Sequence, residues 1–122
     1  AACSGTPTNG NCSGDTTTDQ FIRLDNIGNV DANITNMTSE CVASTFIGGT
    51  SPLFQFITTS CNGTGVSTWT DFTTTGQNVC TNLSYLGGRL RLYANVTIPS
   101  NAVGGTGACA NQSDITFTAS IA

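Results

Sequence analysis

The stretch GGRLRLYANVTIPSN, residues 87–101, alternates apolar and polar side chains one for one. A period of two belongs to a half-buried strand, because successive side chains of a strand face opposite ways, whereas an amphipathic helix repeats its apolar groups every three or four positions. Leu90, Leu92, Ala94, Val96 and Ile98 are expected to face a core, with Arg89, Arg91, Tyr93, Asn95 and Thr97 on the wet side. Pro99 ends the ladder, and Gly104-Gly105 permits the chain to turn back. The returning strand then places Ile115, Phe117, Ala119 and Ile121 inward.

Similar β-branched and aromatic runs stand at 20–27, 41–47, 53–60, 66–73, 78–86 and 114–121, divided by Gly, Asn, Ser or Pro. No window of that length carries a helical stripe. The pattern predicts an all-β chain of about seven short strands, which fits a β-sandwich. Residues 1–19 contain almost no large apolar group and read as an extended N-terminal arm, leaving 20–122 as the β-sandwich domain.

Cys3, Cys12, Cys41, Cys61, Cys80 and Cys109 are widely spaced, with no C-x-x-C pair and no histidine in the chain. No zinc or haem site is expected, and no cofactor. An even number of scattered cysteines in a small domain points to as many as three disulfides and an oxidising, extracellular compartment. A Cys3–Cys12 bridge would pin the arm, but six cysteines allow fifteen pairings and the spacing does not choose among them. The chain opens AACSGT without a basic or apolar leader, so a signal peptide is expected to have been removed. No run of 18 apolar residues would span a membrane, and the absence of a long apolar N-terminal helix argues against a type IV pilin or an archaellin.

The chain has three arginines, no lysine and seven carboxylates, for a net charge of −4. Such a surface suits neither nucleic acid, which needs a basic face, nor a polybasic membrane contact. Solubility must come from hydroxyls, amides and attached sugar. Seven N-x-S/T acceptor sites are present, at Asn11, Asn33, Asn36, Asn62, Asn82, Asn95 and Asn111, where composition alone would give roughly three. Asn33 and Asn36 stand within one stretch, ANITNMTSE, which reads as a loop: in a regular strand Asn36 would share a face with Ile34, putting sugar beside a core position.

Chemistry at other positions is weighed against plainer roles. Nucleophilic catalysis lacks a histidine or lysine base. The acids Asp15, Asp19, Asp25, Asp31, Glu40, Asp71 and Asp114 stand singly and read as turn and cap residues, although Asp71 and Glu40 would be the carboxylates to test for glycosidic chemistry. DNIGNVD, from Asp25 to Asp31, is the nearest approach to a calcium loop. Trp69 reads as core before it reads as a sugar-stacking platform. Arg89 and Arg91 could bind an anion but are expected to answer nearby carboxylates. Without lysine, the α-amino group of Ala1 is the only primary amine for an intermolecular isopeptide link.

A Thr-rich, lysine-free, disulfide-bearing β-domain with dense acceptor sites, a bare N-terminal arm and a closing strand pair joined by IPSNAVGGTGA resembles the thread filament subunits of Sulfolobus-type archaea. These belong to the donor-strand-complemented pilins, similar in fold to bacterial chaperone-usher pilins. The resemblance implies an immunoglobulin-like sandwich lacking one strand, completed by the arm of a neighbouring identical subunit in a head-to-tail polymer on the cell surface, with adhesion or biofilm formation as its role. Such a contact does not close on itself and propagates as a filament. DITFTASI at the C-terminus is the alternative donor. The rival reading is a monomeric secreted glycoprotein or adhesin that binds a glycan or protein through Trp69 or a loop, and an enzyme comes third.

Overall fold

The computed structural model describes residues 21–110 and 112–122. The arm, with Cys3, Cys12, Asn11 and the expected Cys3–Cys12 bridge, lies outside the described residues, as does Asn111. Among the described residues nine strands are formed: β1 (Ile22–Asp25), β2 (Ala32–Ile34), β3 (Thr38–Ser39), β4 (Leu53–Thr59), β5 (Thr70–Asp71), β6 (Cys80–Leu83), β7 (Arg89–Thr97), β8 (Ile115–Thr116) and β9 (Ala119–Ile121). One helical turn, α1 (Ala43–Phe46), and a 3-10 turn at Gly107–Cys109 interrupt them.

The strands make an antiparallel sheet in the order β1-β7-β4-β5, a second in the order β6-β2-β9, and a β3-β8 ribbon. Phe54, Phe56, Leu90 and Leu92 of the first sheet and Ile34, Cys80 and Leu83 of the second share one core with Met37, Ile47, Phe72 and Val79. The apolar faces are therefore packed against each other as a β-sandwich. Phe56 and Phe72 lie at its centre, 0% and 1% exposed, with ring centroids 4.9 Å apart. Strand β4 shows the alternation most cleanly, with Phe54, Phe56 and Thr58 buried and Leu53, Gln55, Ile57 and Thr59 turned outward.

Five sequence expectations are corrected. Residues 41–47 do not form a strand: Phe46 and Ile47 are adjacent and both pack on the core, which alternation forbids, and a helical turn allows it. The Val42 N–H donates to Thr45 Oγ1 and that hydroxyl donates back to Val42 O, which closes the turn. Gly48 ends it in the left-handed region at φ 72°, where a Cβ would also stand 2.7 Å from Val103 Cγ2.

The 32–40 stretch is not a plain loop, since it holds β2 and β3 with a break between them. That break resolves the conflict over Asn36. Ile34 is buried at the end of β2, the register stops, and Asn36 falls outside the strand and is exposed.

The closing strands do not pair with each other. Strand β7 lies between β1 and β4, while the 114–121 run splits, β8 going to β3 and β9 to β2. Ile98 is 70% exposed, because β7 ends at Thr97 and no strand faces the position beyond. Finally, Ala119 and Ile121 are exposed, Ile121 at 77%. The reason is a gap in the sandwich beside them.

Candidate functional site

The gap is a seam between two sheet edges. Strand β1 ends one sheet and β9 ends the other, so among the described residues each has hydrogen-bonding groups on its outer side that no strand takes up. Between them lies a cavity of about 320 Å³ lined by Leu24, Ile27, Ile34, Leu83, Phe117 and Ala119, among others. By strand alternation Ile22 shares a face with Leu24, and Ile121 with Ala119. Ile22 is 40% exposed and Ile27 94%, so among the described residues the apolar floor continues outward without cover. A sheet edge with an apolar floor can accept an extended segment: the edge supplies main-chain hydrogen bonds, and the floor takes alternate side chains. Sequence reasoning missed Leu24, Ile27 and Phe117 as site residues. The signal that could have found them is the C-terminal run itself, which reads as buried yet needs a partner strand on each side.

The loop below the seam is organised by Asn26, which displaces the calcium reading. Its amide donates to Val30 O and Leu83 O, both at 2.9 Å, and its Oδ1 accepts from the Gly28 N–H. The flanking acids are directed apart. Asp25 pairs with Arg23 Nε at 3.2 Å, and Asp31 Oδ1 accepts from the Tyr85 N–H at 3.0 Å.

Three of the acceptor asparagines come together on the second sheet. Asn33, on β2 with its side chain opposite to that of buried Ile34, accepts through Oδ1 from the Asn82 N–H at 2.8 Å. Asn62 Oδ1 accepts from the Ser84 N–H at 2.9 Å, and Ser84 is the hydroxyl residue of the Asn82 site. Asn82 itself adopts φ 61°, a conformation asparagine tolerates better than most residues. Asn36 stands apart against Gly76. Asn95 lies on the outer face of β7, half-buried, with Thr97 exposed on the same face.

The remaining candidates are scattered. Asp15 and Asp19 lie outside the described residues; Asp71 Oδ1 accepts from Gln55 Nε2, and Glu40 and Asp114 meet through their backbones, so among the described residues no carboxylate pair faces a cavity as a unit. Arg91 lies opposite Arg23 and Arg89 opposite Asp25 in the β1-β7 register. The Arg91 guanidinium sits 5.0 Å over the Phe21 ring, which together with Asp25 relieves the like-charge pairing. An open polar cleft of about 400 Å³ beside Arg89 and Arg91 is lined also by Ser60 and Asn62. Trp69 is 47% exposed and is not part of the core, contrary to the reading from sequence. The turns on either side of it, with only Thr70–Asp71 paired to β4, leave it at the surface.

Among the described residues the cysteines pair as Cys41–Cys109 and Cys61–Cys80. Among the described residues, no helix is long and apolar enough to cross a membrane. Comparison with known protein families, with curated proteins and with solved structures finds no match for this chain.

Proposed function

We propose that this protein is a structural subunit of an extracellular, glycosylated filament, assembled head to tail by insertion of a strand from one copy into the next. The observation that carries the reading is the apolar seam between β1 and β9, two edges that face a common cavity with exposed Ile22, Ile27 and Ile121 around it. The immunoglobulin-like character of the sandwich belongs to the same proposal. An incoming strand would hydrogen-bond along the free edges and cover the isoleucines, and because donor and acceptor are different surfaces the contact repeats indefinitely. The N-terminal arm, residues 1–19, is the donor. The C-terminal run is already used within its own chain, by β3 and β9's partner β2. Two disulfides and the density of sugar acceptor sites accord with a surface that must last outside the cell.

The test is to purify the protein with its native glycans and image it by negative-stain electron microscopy, alongside a form lacking residues 1–19. Thin unbranched fibres, one domain wide and lost on deletion, are expected. Dispersed monomer-sized particles from the intact chain would end the filament reading. Exposed Trp69 supports the second reading, a monomeric glycan-binding domain. On that reading the arm-deleted form keeps its ligand, and Trp69→Ala loses it.

A further inference from the structure

The outer face of the β1-β7-β4-β5 sheet carries an apolar row that, among the described residues, no further strand or helix covers. Tyr93 stands opposite Ile57 in the β4-β7 register, and the Phe21 ring approaches the Tyr93 ring at 5.5 Å and 55°. The Arg91 guanidinium also lies over the Phe21 ring, 5.0 Å from its centroid. Phe21 is 39% exposed, Leu53 36%, and Tyr93 and Ile57 are half-buried. In a chain with so few charges, an aromatic row of this kind on open sheet is an invitation to unwanted contact.

Two positions along the same strand face is Asn95, and two further is Thr97, so Tyr93, Asn95 and Thr97 form one line on the outer face. Side chains two apart on a strand lie about 7 Å apart at their Cα atoms. That is the span of one asparagine side chain plus its first sugar. A pyranose presents a face of C–H groups, which packs on an aromatic ring while its hydroxyls stay wet. Across the ladder Gln55 stands opposite Asn95, its amide held by Asp71 Oδ1 at 2.9 Å, so a polar partner flanks the place where sugar hydroxyls would lie. Among the described residues, neither the Asn95 amide nor the Tyr93 hydroxyl has a hydrogen-bond partner in the protein, and Thr97 is exposed. The contrast is Ser113, the hydroxyl residue of the Asn111 site, which is engaged by Ser39 Oγ at 2.7 Å and by the Cys41 N–H at 3.0 Å.

We propose that Asn95 carries an N-linked glycan whose first sugar ring lies on the face of Tyr93, making the sugar a fixed part of the outer sheet surface. Phe21 packs on the Tyr93 ring and Ile57 stands opposite Tyr93 on the neighbouring strand, so the platform is in place before the sugar arrives. The proposal is independent of filament assembly, because it concerns a face of the single domain away from the seam.

Three measurements on natively glycosylated protein test it. Glycopeptide mass spectrometry should find Asn95 occupied. Thermal midpoints are then compared for the wild type, Thr97→Ala, Tyr93→Thr and the double variant. Thr97→Ala removes the acceptor signal and leaves Asn95 in place. It is expected to lower the midpoint by about 3 °C in the Tyr93 background and by much less in the Tyr93→Thr background, with Tyr93→Phe restoring the dependence. If Tyr93→Thr does not fold, nuclear Overhauser contacts between the first sugar and the Tyr93 ring in the wild type decide the matter. An empty Asn95, additive midpoints, or no sugar-to-ring contact overturns the proposal.

Discussion

Cys61 and Cys80 are bonded with their Cα atoms 5.7 Å apart, and the bond crosses from one sheet to the other, since Cys61 follows β4 and Cys80 opens β6. Cys41–Cys109 does a different job, fastening the entry to α1 to the 3-10 turn across 68 residues. A bridge acts largely by restricting the unfolded chain, and more so for a longer loop. On that basis Cys41→Ala with Cys109→Ala should cost about 4 kcal/mol, and Cys61→Ala with Cys80→Ala about 3 kcal/mol. Urea unfolding of the paired variants checks the order, and a larger loss from the 61–80 pair would show that tying the sheets matters more than loop length.

Phe56 sits at the centre of the core with Phe72 against it, and Phe72 in turn stacks on Phe54 at 4.2 Å. Truncating Phe56 to Ala removes a fully buried ring that its neighbours, held by two sheets, cannot move to replace. The expected loss is about 3–5 kcal/mol. In a double-mutant cycle with Phe72→Ala the two losses should be non-additive, because the rings share one contact surface.

The strands that are long and cleanly alternating were legible in the sequence, and β7 and β4 form where the pattern places them. What was not legible depends on contacts between distant residues. Phe46 and Ile47 read as a strand until the core claims both at once, and Asn36 reads as a loop residue for a reason that holds only because β2 stops at Ile34. The pairing of Cys41 with Cys109 needs the 3-10 turn to be brought beside α1, which no local spacing reports. The seam was hidden for the same reason. Ile121 has the sequence of a buried residue, and only the sheet order shows that, among the described residues, β9 has a strand on one side alone.

The cluster of Asn33, Asn62 and Asn82 predicts competition for sugar. The Asn33 side chain is hydrogen-bonded to the Asn82 backbone, so a glycan on either one stands over the other's attachment point. Thr35→Ala abolishes the Asn33 acceptor site without touching the Asn33 amide or its hydrogen bond. Site-resolved mass spectrometry should then find higher occupancy at Asn82 than in the wild type. Unchanged occupancy at Asn82 would mean that the two sites are modified without regard to each other.

The seam makes the most direct prediction about assembly. Ile27 is 94% exposed and Ala119 is exposed on the edge strand, yet both line the cavity between β1 and β9. In the isolated domain Ile27→Asp and Ala119→Lys are surface changes, expected to shift stability by no more than about 0.5 kcal/mol. In a filament the same two side chains would be enclosed beneath an inserted strand, where an unpaired charge costs several kcal/mol. The substitutions should therefore leave the thermal midpoint of the monomer in place and abolish fibres, and a synthetic peptide of residues 1–19 should raise the midpoint of arm-deleted wild type but not of arm-deleted Ala119→Lys. Fibres that persist in both variants would place the junction elsewhere on the molecule, because no strand can lie in that seam without covering one of the two charges.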